Sequence, residues 1–108
     1  MYTRAELHQT LVDIFRAVEL DPNKKIFFQA PANITRSYPY VVYSLVREKV
    51  QFADNRHHVR LKRYSLMIVT DDIETPLIGE IEKLRTSSFE RQYVHENLHH
   101  IIYNIYLI

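Results

Sequence analysis

Apolar residues recur every three or four positions near the start of the chain, from Leu7 to Val18. This is the spacing of one buried face of an α-helix. Thr3 followed three positions later by Glu6 is a capping-box sequence, which marks a helix start. The pattern predicts an amphipathic helix that runs to about Glu19, ahead of the Asp-Pro-Asn sequence that follows.

Two long runs rich in Val, Tyr, Leu and Ile, at 38–52 and 57–69, predict the strands of one β-hairpin. Between them lie Asp54 and Asn55, which suit a tight turn. A turn at these two residues would set the register of the whole hairpin. The expected pairs are Tyr43 with Leu66, Leu45 with Tyr64, Arg47 with Lys62, Lys49 with Arg60, and Val50 with Val59.

The outer half of this hairpin is expected to carry four cations on one face: Arg47, Lys49, Arg60 and Lys62. Cations directly opposite one another destabilise an antiparallel pair. A chain that keeps them together is expected to meet a negative surface. The base of the hairpin is apolar on both faces, which indicates that it lies inside the sheet. The tip is apolar on one face only, so it is expected to project past the rest of the domain. The exposed strip of Val50, Phe52, Val59 and Leu61 would then be covered by a neighbouring subunit.

The remaining elements follow from shorter signals. Residues 26–28 predict a short strand, and Thr75-Pro76 predicts the start of a second helix that runs to about Arg85. A short strand is expected around residues 89–94. Residues 98–108 are apolar on both faces, which indicates a central strand. The predicted fold is a single α+β domain over residues 1–108, with the order α-β-β-β-α-β-β. It is an antiparallel sheet with a long projecting β-hairpin, and both helices pack on one face.

Composition excludes several kinds of chemistry. The chain has one glycine and no cysteine, so it holds no glycine-rich phosphate loop, disulfide or thiolate site. Charged residues interrupt the N-terminal segment, and no run reaches the ~18 apolar residues of a spanning helix. We therefore expect a protein made and kept in a reducing, cytoplasm-like environment, with no membrane contact.

The net charge of +1 conceals a segregation of charge along the chain. Residues 36–63 hold seven bases and two acids, whereas residues 71–82 hold five acids and no base. Opposite patches on one small body suit head-to-tail association into a ring. The alternative is that both patches are solvated surfaces. The acids concerned are Asp71, Asp72, Glu74, Glu80 and Glu82.

The histidines do not predict a metal site, and no sequence context marks an enzyme. His99 and His100 would point to opposite faces of a strand, and no acid or thiol completes a ligand set with His95. No nucleophile elbow or paired-acid motif is present. We expect no cofactor, no metal and no catalysis. Nucleic-acid binding stays open, because the basic face adjoins Tyr43 and Tyr64.

The whole pattern resembles one known family, the small tail-terminator or tail-completion proteins of long-tailed bacteriophages. The shared features, over nearly the full length, are the short N-terminal helix, the segment Tyr38-Pro39-Tyr40-Val41-Val42-Tyr43 and the charged hairpin with Ala53-Asp54-Asn55. The descending strand with its acidic end, a brief second helix, and the ending from Phe89-Glu-Arg-Gln-Tyr93 to Tyr106 complete it.

The resemblance implies a structural virion protein, assembled in the host cytoplasm as a hexameric ring at the head-proximal end of the tail. Such a ring caps the tail tube, joins it to the head connector and touches genomic DNA non-specifically in its lumen. The alternatives are a head-completion or adaptor protein and a small nucleic-acid-binding regulator. We expect subunit contacts between the hairpin of one copy and the acidic region of the next. The expected interface residues are Val46, Val50, Phe52, Val59, Leu61, Arg47, Lys49, Arg60 and Lys62 against Asp71, Asp72, Glu74, Glu80 and Glu82.

Overall fold

The fold consists of two helices and a five-stranded mixed sheet in the predicted order. The computed structural model describes residues 3–23, 25–29, 38–53 and 56–107, and for 47–53 and 56–61 it describes the backbone alone. The elements are α1 (Arg4–Ala17), β1 (Ile26–Phe28), β2 (Tyr40–Ala53), β3 (Arg56–Thr70), α2 (Pro76–Glu82), β4 (Ser87–His95) and β5 (Leu98–Leu107).

Both ends of α1 are capped, and the helix ends at Ala17, two residues before the predicted end. The Thr3 side chain accepts a hydrogen bond of 3.2 Å from the backbone N–H of Glu6, which confirms the predicted cap. At the other end the N–H of Leu20 donates to the carbonyl of Phe15 at 2.8 Å, and Glu19 adopts a positive φ of 62°. This is a Schellman turn, whose left-handed residue is usually glycine.

The strand order is β1-β2-β3-β5-β4. The prediction of a wholly antiparallel sheet is wrong at one edge, because β1 pairs with β2 in parallel. An antiparallel neighbour along the chain needs only a tight turn, whereas the connection from β1 to β2 spans eleven residues, 29–39. That length permits the crossover that a parallel pair requires. Residues 30–37 of this connection lie outside the described residues.

The second half of the chain follows the prediction with different bounds. α2 has Thr75 before its first turn and Pro76 in it, but it ends at Glu82 rather than near Arg85. β4 is nine residues long, and β5 lies between β3 and β4, which confirms that it is an interior strand. β4 and β5 are joined by a two-residue turn, in which Glu96 and Asn97 both have positive φ.

Both helices pack on the same face of the sheet, where one hydrophobic core joins them to β2, β3 and β5. Alternate residues of β3 and β5 point into this core, as period-two burial requires. The helices contribute Leu7, Leu11, Ile14, Phe15, Leu77 and Ile81, and the strands contribute Val41, Tyr43, Tyr64, Leu66, Ile68, Ile101, Tyr103, Ile105 and Leu107.

The hairpin extends beyond its neighbours in the sheet. β1 pairs only with residues 41–43 of β2, and β5 pairs with residues 62–70 of β3. The remaining strand residues, 44–53 and 56–61, have no other strand partner among the described residues, and we call this part of the hairpin the arm. The long axis of the molecule measures 49 Å, against 27 and 26 Å across it.

Candidate subunit interface

The register of the hairpin matches the prediction at its base and departs from it in the arm. Tyr43 is paired with Leu66 and Leu45 with Tyr64, as expected. A β-bulge at Val46 then shifts the register by one residue, so that Arg47 is paired with Arg63 rather than with Lys62. The prediction assumed that the two strands pair without interruption. It missed the extra residue because a bulge leaves little signal in the local sequence.

The shift corrects every predicted pair beyond the bulge. Lys49 is the Cα partner of Leu61 instead of Arg60, and Val50 is the partner of Arg60 instead of Val59. Lys62 is paired with Glu48, an opposite charge. A one-residue slip also moves positions between the faces of a strand. The expectation of four cations on one face is therefore wrong, and the like-charged pair that remains is Arg47 with Arg63.

Side-chain positions can be stated for part of the predicted interface. Val46 lies at the bulge with 45% of its surface exposed, and Lys62 is exposed. The side chains of Val50, Phe52, Val59, Leu61, Arg47, Lys49 and Arg60 lie outside the described residues, as do the turn residues Asp54 and Asn55. The apolar strip on the arm thus stays a prediction.

The predicted acidic region divides into two parts. Asp71, Asp72 and Glu74 are exposed in the connection between β3 and α2, which we call the acidic loop. This loop is held in shape by local bonds. The Asp72 N–H donates to the Thr70 hydroxyl at 3.0 Å, and the Glu74 N–H donates to the Asp72 carboxylate at 2.9 Å.

The other two predicted acids lie on α2 and have partners within the chain. Glu80 forms an ion pair with Lys83 at 3.1 Å. Glu82 accepts a hydrogen bond of 2.6 Å from the hydroxyl of Tyr103, a residue of the core. Burial raises the pKa of Tyr103, and the hydrogen bond to Glu82 raises it further. Glu82 is exposed, but its bond to Tyr103 anchors α2 to the sheet.

A second polar contact anchors α1 to the sheet. The hydroxyl of Tyr43 and Nδ1 of His8 share a hydrogen bond of 2.8 Å. The guanidinium of Arg4 lies 4.5 Å from the centre of the Phe28 ring, which flanks Tyr43. Burial raises the pKa of Tyr43, and nearby Arg4 opposes that shift. The arm and the acidic loop thus extend from a body whose two helices are each fixed to a core tyrosine.

The acidic loop and the arm lie at opposite ends of β3. Eleven residues separate Arg60 in the arm from Asp71, a distance of about 36 Å for an extended strand. This is most of the 49 Å long axis. The backbone of the arm and the acidic loop therefore lie towards opposite ends of β3.

An exposed strand edge was missed by the sequence analysis. β4 forms one edge of the sheet, and eight of its nine residues are exposed. Among them are Phe89 at 56%, Tyr93 at 40% and Val94 at 60%. The signal was present as three large apolar residues on a segment bounded by polar ones. Its interpretation as a short strand gave no reason to place them at an edge.

The histidines of β4 and β5 occupy a stacked arrangement. The rings of Tyr93 and His100 are parallel at 4.8 Å, and His95 meets His100 edge-on at 6.2 Å. His99 is on the other side of the strand, with its buried Nδ1 unpartnered. Within the part of the chain that the structure describes, no three His, Asp or Glu side chains are grouped for a metal ion.

No protein-family model matches the chain, and no curated protein matches it. Among the described residues, neither helix is long and apolar enough to cross a membrane.

Proposed function

We propose that the chain is a structural subunit of a bacteriophage tail, the tail-terminator or tail-completion ring. In this function, six copies of the chain form a ring at the head-proximal end of the tail. The ring stops growth of the tail tube and joins it to the head connector. DNA passes through its lumen. Assembly would occur in the host cytoplasm before incorporation into the virion.

The observation that carries this proposal is the position of opposite charges at the two ends of an elongated subunit. Lys62, at the root of the arm, is exposed, and the acidic loop is exposed at the far end of β3. A contact between two different surfaces of identical chains produces a ring when the rotation closes. Complementary charge at such a contact speeds encounter and fixes orientation.

The proposal requires no catalysed reaction and no cofactor. Its chemistry is that of binding, in which a buried apolar centre supplies most of the energy and charged residues at the rim supply specificity. The arm is the segment that extends furthest from the core. The arm is therefore the segment best placed to contact the neighbouring subunit.

Tail length provides the test. Deleting the gene from its phage should give tails of irregular length that fail to join heads, and supplying the protein from a plasmid should restore uniform tails. Immunogold labelling should place the chain at the head-proximal tail end. Uniform, head-joined tails without the protein would contradict the proposal. Tails of normal length that stay unjoined would instead favour the head-completion or adaptor role.

Nucleic-acid binding is the second candidate, and one observation favours it. Arg47 and Arg63 are Cα partners at the root of the arm. Opposed cations in an antiparallel pair repel one another, and bound phosphates would relieve that repulsion. A regulator of this kind should shift a DNA fragment at moderate salt as a small species. A ring subunit should show only weak, salt-sensitive retention.

A further inference from the structure

Exposed apolar side chains gather at two edges of the sheet. Seven large hydrophobic side chains are exposed among the described residues, and five of them lie at these edges. Phe89, Tyr93 and Val94 are on β4, and Leu45 and Val46 are on β2 just beyond the last residue that β1 covers. Open edges of this kind are templates for pairing with another strand.

The backbone of β4 presents unused hydrogen-bonding groups. His95 and Leu98 flank the two-residue turn and are paired with each other. In such a hairpin this pair exchanges hydrogen bonds, and the following pairs alternate. The N–H and C=O groups of Gln92 and Val94 therefore point away from β5, towards the open edge. A bulge between Phe89 and Arg91 leaves residues 91–95 as the regular part of this edge.

The outer edge of β2 presents the matching groups. The N–H of Val41 donates to Lys25 at 2.8 Å, and the C=O of Tyr43 accepts from Gln29 at 2.9 Å. Both bonds run to the β1 side, so alternate residues of β2 face this edge. Leu45 comes next in the series, where β1 has ended. Among the described residues, no strand covers the outer edge of β2 at this position.

The directions of the strands make the two edges compatible. β2 is antiparallel to β3, β3 to β5, and β5 to β4. β4 therefore runs opposite to β2. Two copies in the same orientation bring β4 of one alongside β2 of the next as an antiparallel pair. Leu45 and Val94 both lie on the side of the sheet that carries the helices. The Cα partner of Leu45 is the core residue Tyr64. The partner of Val94 is His99, two positions before the core residue Ile101 and therefore on the same face.

We propose that β4 of one copy pairs with the outer edge of the arm of a second copy, from Leu45 onward, so that the sheet continues from subunit to subunit. The contact joins two different edges, which suits a ring rather than a two-fold dimer. It deepens the proposed ring and rests on it for the orientation of the neighbour. Because β1 covers residues 41–43 of this edge, the neighbouring subunit has to be displaced along the strand direction. Strands that are tilted to the ring axis accommodate such a displacement.

Cysteine cross-linking tests the pairing directly, because the chain has no cysteine of its own. Leu45→Cys and Val94→Cys are combined in one chain and treated with a short bismaleimide. Within one chain the two positions are three strand spacings apart, at least about 14 Å, so a shorter reagent has to join different copies. We expect a ladder of covalent oligomers. The matched control, Arg16→Cys with Val94→Cys, moves one thiol to an exposed position on α1 and should give no ladder.

The outcomes separate this inference from the proposed function. A covalent dimer from Val94→Cys alone would show two β4 edges paired with each other and would overturn the inference. Assembly by light scattering without the ladder would also overturn it, while leaving the ring intact. Absence of both assembly and ladder would contradict the ring and the inference together.

A backbone substitution supplies an independent readout. Val94→Pro removes an N–H that the subunit does not use and that the neighbour would need, and proline is tolerated on edge strands. We expect association to weaken about tenfold. Val94→Thr keeps the N–H and nearly the same shape, so it should weaken association much less. Equal effects of the two variants, at equal thermal stability, would contradict the pairing.

Discussion

Positive φ values at residues other than glycine mark the local strain in this chain. Glu19, Gln29, Glu96 and Asn97 all adopt them among the described residues. The chain contains a single glycine, Gly79, which lies in α2 and has a negative φ. At these positions the left-handed conformation is therefore adopted by residues that carry a Cβ. Each one lowers the free energy of unfolding by roughly 1 kcal/mol. These positions are where single substitutions should stabilise the fold.

Glu19→Gly should stabilise the protein. Glu19 is the left-handed residue of the Schellman turn that ends α1, at φ 62°. Glycine adopts this conformation without steric strain, so we expect a gain of about 0.5–1 kcal/mol in the free energy of unfolding. Urea denaturation measures it. Glu19→Ala removes the same charge but keeps the Cβ, and a gain of equal size in that variant would show that the charge, not the backbone, is responsible.

Tyr103→Phe should destabilise the protein by about 1 kcal/mol at neutral pH, because the bond to Glu82 is lost. The folded pKa of Tyr103 lies above its ordinary value of 10.0. As pH rises past 10, the Tyr103 hydroxyl therefore ionises in the unfolded chain before it does so in the folded protein. The stabilisation that Tyr103 provides is complete below pH 10 and declines above it. The difference between wild type and Tyr103→Phe should shrink as pH rises past 10.

Denaturant unfolding at pH 8 and pH 10.5 measures this difference, provided that both proteins unfold reversibly. Tyr106→Phe is the control, since Tyr106 lies on the same strand at a position that alternates to the other face. A difference that stays constant or grows with pH would contradict the assigned role of Tyr103.

At the scale of elements, the sequence predicted what depends on local patterns. Helical spacing, the capping box and Pro76 located both helices, and the apolar runs located the hairpin and β5. The bulge at Val46 and the parallel pairing of β1 depend instead on how strands meet in space. Neither leaves a pattern along the chain. The predicted cross-strand pairs in the arm failed at the same point, since each of them assumed an unbroken register.

The arm should exchange its amide hydrogens faster than the base of the hairpin. Residues 41–43 are covered by β1 and the corresponding part of β3 by β5, whereas within the described part of the chain the arm has strand partners only in the hairpin itself. Opening the arm therefore breaks fewer bonds and exposes no part of the core. Hydrogen exchange by mass spectrometry should show fast exchange over 47–62 in the monomer and slow exchange after assembly. Equal protection of arm and base in a verified monomer would contradict this.

At the scale of the whole molecule, charge at the two ends should govern the rate of association. Asp71→Lys with Glu74→Lys reverses the acidic loop while leaving the Asp72 side chain that bonds the Glu74 N–H. We expect slower assembly and a weaker dependence on salt, because an electrostatic attraction has been removed.

The control for this variant is Asp13→Lys with Glu19→Lys, which makes the same change in net charge on α1 and in the turn that follows it. Its assembly should resemble wild type within a factor of about two, as expected for charges remote from the contact. Stopped-flow light scattering over a salt series compares the two variants. Equal slowing in both would mean that net charge, not the acidic loop, controls association.

If the chain forms a ring of identical subunits, as proposed, the mass of the assembled species will reveal it. Light scattering on purified protein, across a concentration series and with tail-tube ends added, should give a closed species of about 78 kDa, six times the 13.0 kDa chain. A mass that stays at 13.0 kDa under every one of these conditions would contradict the proposal.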